Sequence, residues 1–361
     1  MTQFLRQLLE RISFSLLRVT DSYRAINSVF SKNNSIILVA DIPSSRKMRF
    51  LNLYDSRKGP PTVLFNLRTA LLRCKVPHTV IFASELFDES NLLNYSMSES
   101  TILVPGWTRS RFELEELIKH SSRSKILIGP NISLTHNEIN SITTRSKNEI
   151  YFIVPSNEIK RFFESKFSEN ESLLRRTIVV PSPVDSEYWS PGGNQKSKIL
   201  IYLKHRVGIQ DTEIINYIRE RFGERVELIE YGMYSPKKLR TVGRHSKFCV
   251  YLASTESQGI ALLEMWSLDI PTFVRVPNNF EIEKWRQVSR YGATPETYAP
   301  YLKPNAGSFF SDVDELQNLI DDLEKKAIEY SPRKWAFENF NMTAYVDHLL
   351  SLSYQKPKSS L

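Results

Sequence analysis

The sequence predicts an α/β protein built from two doubly wound parallel units. Short β-branched runs alternate with stretches of helical periodicity along most of the chain. The alternation breaks in a Pro- and Gly-rich stretch near residues 179–194 and then restarts. A length of 361 residues fits two domains or one large one, and the restart favours two.

In the first unit, residues 35–40 read as a strand. Residues 61–73 read as a helix with Leu64, Leu67, Leu71 and Leu72 on one face, and 78–83 as the next strand. Strands at 101–104, 125–129, 150–154 and 177–180 follow, with helices over 110–120 and 157–167. Strands rich in β-branched residues, with helices between them, argue for a parallel sheet covered on both faces. Val179 to Asp185, then Tyr188 to Asn194, carry three prolines and two glycines and read as a linker. The second unit has strands at 198–203, 226–231, 248–253 and 272–276, and helices at 211–222, 236–245 and 259–268. Residues 277–310 read as irregular, two helices over 312–329 and 332–352 follow, and the Lys/Ser tail from Gln355 reads as frayed. The expected organisation is a helical extension at 1–34, a Rossmann-like lobe at 35–185, a second at 186–335, and a C-terminal helix and tail at 336–361. Two such lobes would face a central cleft, with the carboxyl ends of their strands toward it, where open parallel sheets bind ligands.

Composition narrows the classes. Hydrophobic residues make up 41% and charged residues 24%, with 12 Gly and 18 Pro, which excludes collagen-like, low-complexity and wholly disordered chains. Two cysteines, Cys74 and Cys249, build neither a disulfide framework nor a cysteine-rich zinc module. The six histidines show no metal-ligand spacing, and no metal is expected. The net charge of +8 suits either a plain basic surface or an anionic partner, such as a phosphate-bearing ligand, an acidic membrane or nucleic acid. No apolar run approaches the roughly 18–20 residues of a membrane span. Phe4, Leu5, Leu8, Leu9, Ile12, Leu16 and Val19 recur at helical spacing, interrupted by Arg6, Arg11 and Arg18. That is an amphipathic helix and not a secretory signal; docking on the protein body and lying on an anionic membrane face both fit. The expected location is cytoplasmic, with residues 1–34 as a candidate peripheral membrane contact.

The segment Ala253-Ser254-Thr255-Glu256-Ser257-Gln258-Gly259-Ile260-Ala261-Leu262-Leu263-Glu264 carries the most chemistry. A buried strand ends at Ala253, a polar loop holds Glu256, Gly259 opens a helix, and Glu264 lies inside it. Free N–H groups at a helix start, backed by the helix dipole, favour phosphate. Gly259 lets the backbone approach a ligand. Carboxylates accept hydrogen bonds from hydroxyls, so the combination suits a ligand with both phosphate and sugars. Plain N-capping, with Glu264 on the surface, is the competing explanation.

Glu256 and Glu264 enclose seven residues, a spacing that resembles the paired-glutamate motif of retaining GT-B glycosyltransferases. The stretch through Ile270-Pro271-Thr272-Phe273-Val274 resembles the matching strand-loop-helix-strand of glycosyltransferase family 4. Three more regions agree in order, so that the resemblance spans about residues 35–350. Lys58-Gly59-Pro60-Pro61-Thr62, with Asn66-Leu67-Arg68 and Pro77-His78-Thr79-Val80, is similar to the glycine-rich loop, helix and second strand of the acceptor lobe. Pro181 through Val184-Asp185-Ser186-Glu187-Tyr188-Trp189-Ser190-Pro191 resembles the passage between lobes. Ile128-Gly129-Pro130-Asn131 and Val154-Pro155-Ser156 are similar to a bacterial-type subgroup. Ser257, Gln258 and Asp269 depart from the residues the family often carries at those positions.

The resemblance implies that Glu264 binds the ribose hydroxyls of a nucleotide-diphosphate sugar and that Glu256 faces the donor sugar. It places the backbone of Gln258, Gly259 and Ile260 near phosphate and sugar hydroxyls. Lys204 and Arg206 would neutralise the diphosphate, with Arg206 substituting for a lysine that this sequence replaces by Ile209. Gly59 and His136 are the acceptor-side candidates. The donor is a substrate, no cofactor is expected, and the acceptor is a glycan, a lipid-linked glycan or a small molecule. Asp312 reads as a helix cap, His245 as a helix end, and His78 as structural. Tyr298 to Leu302 reads as a donor-cleft loop or as ordinary packing, and the Trp335 helix is expected to cross back to the first lobe. The rival functions are a nucleotide-sugar epimerase on the same fold and a non-catalytic basic binding protein. No nucleic-acid motif occurs, and nucleic acid is not an expected partner.

Overall fold

A computed structural model of the chain describes residues 36–40, 59–83, 100–107, 111–121, 124–132, 139, 142, 149–193, 195–204, 209–276 and 298–354. The extension at 1–34, Arg206 and His136 lie outside the described residues. The chain divides into two compact units, residues 1–49 with 75–153, and residues 50–74 with 154–361.

The first unit holds strands β1 (Ile36–Ala40), β2 (His78–Phe82), β3 (Thr101–Trp107), β4 (Lys125–Ile132) and most of β5 (Glu149–Val154), in the order β2-β1-β3-β4-β5. Every pairing in it is parallel. The β1 run IILVA is buried along its whole length, as a strand covered on both faces requires.

The second unit contains α1 (Gly59–Arg73), α3 (Asn157–Lys166), α4 (Glu171–Arg175) and β6 (Thr177–Val179), while α2 (Arg111–His120) belongs to the first. Its parallel sheet runs β11-β10-β9-β7-β8, from β7 (Lys198–Lys204), β8 (Val226–Glu230), β9 (Ser246–Ala253), β10 (Thr272–Arg275) and β11 (Gly307–Phe310). Its helices are α5 (Ile209–Phe222), α6 (Pro236–Arg244), α7 (Ile260–Ser267), α8 (Val313–Glu324), α9 (Pro332–Phe340) and α10 (Met342–Tyr354). Alternation along the strands splits the core in two. Leu200, Tyr202, Tyr251 and Val274 pack with Leu239 of α6, Leu262 and Trp266 of α7, and Phe340 of α9. Ile201, Leu203, Val250 and Phe273 pack with Ile214 and Ile218 of α5 and Leu316 and Ile320 of α8.

Five local readings change in the structure. The segment expected as a glycine-rich loop begins α1 at Gly59, because Pro60 and Pro61 need no N–H partner in a first helical turn. The expected linker is packed: Val184 and Trp189 join the Trp266 core, and Asp185 accepts from the Glu187 and Tyr188 amides and from Arg73 at 2.7 Å. Irregular 277–310 contains β11. The last expected helix is two, because Asn341 is extended and its Oδ1 caps α10 through the Ala344 amide. The Trp335 helix, α9, packs on α7, and it is α10 that reaches α1. Asp312 caps α8 through Glu315 N–H at 2.9 Å, and His245 ends α6. No helix among the described residues is long and apolar enough to cross a membrane.

Gly307 shows why β11 can pair at all. A Cβ there would stand 1.9 Å from the Thr272 carbonyl oxygen, across the β10–β11 ladder. Gly307→Ala is therefore expected to destabilise the protein by about 1–3 kcal/mol or more, read as a lower denaturant midpoint with an unchanged slope.

Candidate functional site

The site is built at the carboxyl end of the second sheet, on the β9-loop-α7 segment. Ser254 N–H donates to Lys204 O, tying the start of the loop to the end of β7. Gly259 caps α7 in the left-handed region at φ 72 and ψ 52. The positive φ favours glycine here, and a Cβ would also have to push aside the Leu262 Cδ1, 2.8 Å away. No side chain caps α7. Its opening amides, including that of Ile260, therefore lack the Ser, Thr, Asp or Asn oxygen that answers such groups in most helices.

Both glutamates are buried. Glu256 is 5% exposed and Glu264, in the second turn of α7, is 2% exposed. Glu264 is thus not the surface residue that simple capping would make it. Lys204 ends β7 on the face shared with Tyr202 and donates to Glu256 Oε2 at 2.7 Å. Its Nζ also lies 5.0 Å from the centre of the Tyr231 ring. The other carboxylate oxygen, Oε1, accepts a hydrogen bond from the Tyr251 hydroxyl. Tyr251 pairs in register with Tyr202, and their rings stack at 4.8 Å. Tyr202 and Tyr234 hydroxyls are 3.0 Å apart.

Burial pushes the Tyr202 phenol far above its ordinary range, and Tyr234 adds to this. The charges of Glu256 and Glu264 raise it further, so both carboxylates bear on the same ring. Glu256 thus bonds the tyrosine cluster directly, and Glu264 acts on it through its charge.

Gln258 is 4% exposed and its amide nitrogen donates to Ser182 O at 2.9 Å. Its side chain anchors the loop, and what it offers a ligand is backbone. On the opposite sheet face, Arg275 and Asp211 form a second buried pair at 2.7 Å, joining the end of β10 to the first turn of α5. Tyr298 and Ala299 are core residues, each 1% exposed, and Trp335 Nε1 donates to Tyr301 O at 3.1 Å. The packing reading of that segment is the one the structure supports. Among the described residues no group of three or more His, Cys, Asp or Glu side chains could hold a metal ion.

Sequence reasoning missed Tyr251, Tyr202, Tyr231 and the Arg275–Asp211 pair. A signal existed for the first two: each tyrosine interrupts an aliphatic strand two residues before its end. Which strands are neighbours was the missing fact.

No family model matches the chain, and no curated protein matches it by sequence. Solved structures do match. A glycosyltransferase from Rickettsia africae aligns at a TM-score of 0.55 and 9% identity, over 91% of this chain and all of that one (100%). HepE of Anabaena, solved with UDP and glucose, aligns at 0.52 and 10% identity, over 88% and 99% of the two chains. The lipopolysaccharide outer core galactosyltransferase WaaB aligns at 0.51 and 13% identity, over 88% and 98%. The chain has the GT-B glycosyltransferase fold. In that fold's second unit here, Glu256 and Lys204 pair at one sheet end, and Glu264 lies in the helix that follows.

Removing one partner of a buried ion pair leaves a charge without an answer, typically at about 3–5 kcal/mol. Lys204→Met is expected to destabilise the protein on that scale in denaturant melts. The double variant Lys204→Met/Glu256→Gln is expected to lose clearly less than the two single losses added together.

Proposed function

We propose that the protein is a retaining glycosyltransferase that moves a sugar from a nucleotide-diphosphate sugar to a glycan, lipid-linked or small-molecule acceptor. The observation that carries this reading is the pair of buried carboxylates, Glu256 and Glu264, flanking a helix start with no side-chain cap. A buried carboxylate is costly unless cations or hydrogen-bond donors meet it. Hydroxyl groups of ribose and of a donor sugar are ligands that carboxylates bind by accepting hydrogen bonds. HepE, which shares the fold, was solved with UDP and glucose, and that is further support.

In this reading Glu264 holds the ribose and Glu256 the donor sugar. The backbone of Gln258, Gly259 and Ile260 meets the phosphate and the sugar hydroxyls, and Lys204 with Arg206 faces the diphosphate. The acceptor oxygen bonds to the anomeric carbon as the bond from that carbon to the diphosphate oxygen breaks. Attack comes from the leaving-group face, so configuration is kept, and the acceptor's proton passes to the departing diphosphate. The charge that grows on the diphosphate is met by fixed cations and helix-end amides, which stabilise the transition state more than the ground state. Gly59 and His136 belong to the acceptor side. No cofactor or metal enters the scheme. Residues 1–34 are the candidate peripheral membrane contact of a cytoplasmic enzyme.

Thermal unfolding with UDP, GDP and their sugars tests the reading. A nucleotide at 100 times its dissociation constant should add about 2.7 kcal/mol of stability. The expected result is a shift with one nucleotide class that Glu264→Ala abolishes. Equal shifts in wild type and Glu264→Ala would remove the ribose role. Appearance of an epimerised donor with no acceptor present would replace transfer by epimerisation.

A further inference from the structure

We infer that Tyr251 is a positioning residue that fixes the Glu256 carboxylate against the donor sugar. This rests on the donor-site role proposed for Glu256 and adds to it a residue that never meets the substrate. Tyr251 is fully buried, at 0% exposure, so its hydroxyl acts on a ligand only through Glu256. Glu256 itself stands in the irregular backbone between β9 and α7, where no strand or helix ladder holds it. Its side chain rotates about several bonds, and a carboxylate that must meet particular sugar hydroxyls needs those rotations frozen.

Two groups freeze them. Lys204 holds Oε2 at 2.7 Å, but from the end of a long flexible stem. Tyr251 holds Oε1 from a rigid ring. That ring is clamped by parallel stacking on Tyr202, at 4.8 Å and 3° between planes, and Tyr202 is held in turn by the Tyr234 hydroxyl at 3.0 Å. The chain Tyr234–Tyr202–Tyr251–Glu256 thus runs from the turn after β8, across β7 and β9, to the loop. Burial, and next the Glu256 charge, push the Tyr251 phenol well above its ordinary value, so it stays protonated and donates. A carboxylate oxygen has two lone pairs, so one bond from Tyr251 and one from Lys204 still leave acceptor positions for sugar hydroxyls.

The experiment uses the full chain, with UDP-glucose, UDP-N-acetylglucosamine and GDP-mannose as probes. It measures turnover to free nucleotide, the Kd of UDP and GDP, and thermal stability. Tyr251→Phe keeps the ring and removes only the hydroxyl. It should lower kcat by about 10–100-fold while leaving nucleotide Kd within about threefold. Tyr330→Phe removes a hydroxyl that bonds Ser308 and packs on the other face of the sheet, outside this chain of tyrosines, and it should keep kcat. In a Glu256→Gln background, adding Tyr251→Phe should change kcat no further. Tyr234→Phe releases Tyr202 while leaving Tyr251 and Glu256 in place, and it should lower kcat in the same direction, which keeps the inference testable if Tyr251→Phe does not fold. Wild-type kcat in Tyr251→Phe, or the same fold-loss with and without Glu256→Gln, would overturn the positioning role alone. A wild-type protein that binds neither nucleotide and turns over none of the three sugars would overturn the glycosyltransferase reading, and this inference with it.

Discussion

The corner between β7, β9 and α7 depends on one buried charge. The Glu256 carboxylate sits at 5% exposure, and an ion taken out of water to that extent costs several kcal/mol unless cations and donors meet it. Lys204 and Tyr251 meet it, one on each oxygen. They can do so only because β7 and β9 are parallel neighbours with Lys204 opposite Ala253 and Tyr202 opposite Tyr251. A slip of one residue in β9 would turn Tyr251 to the other face of the sheet and leave Glu256 with half its partners.

The same register separates two kinds of work. One face carries Lys204, the tyrosines and α7, whose Ala261–Ser267 segment is buried throughout and so gives the helix start a firm seat. The other face carries the Arg275–Asp211 pair, which ties the end of β10 to the start of α5. Between them the loop is pinned at Glu256, and again at Gln258 through Ser182. Groups that face charge developing in a transition state stabilise it most when they need not move. A loop fixed at two points, leading to a helix start left open by Gly259, has that property.

Much of this was legible in the sequence, and for physical reasons. Parallel strands covered on both faces must be apolar at nearly every position, so runs such as IILVA and KILIYLK stand out. The seven-residue spacing of Glu256 and Glu264 was visible, as was the glycine before the helix. Other features were hidden because they depend on contacts between distant residues. β11 is four residues long and opens with a glycine, so neither length nor composition marks it. Asn341 breaks a continuous helical periodicity by capping the next helix with its side chain, a local competition that periodicity does not register. The Pro-rich segment near 181–191 looked like a linker by composition, yet Trp189 takes it into the core. Tyr251 looked like one more core aromatic, because its partner becomes apparent only when Glu256 folds back over the end of β9.

The most direct test is a crystal structure of the protein with UDP or GDP bound. The account requires the ribose hydroxyls on the Glu264 carboxylate and the phosphates at the start of α7 within reach of Lys204. A nucleotide bound elsewhere on either unit, with Glu264 left untouched, would contradict it.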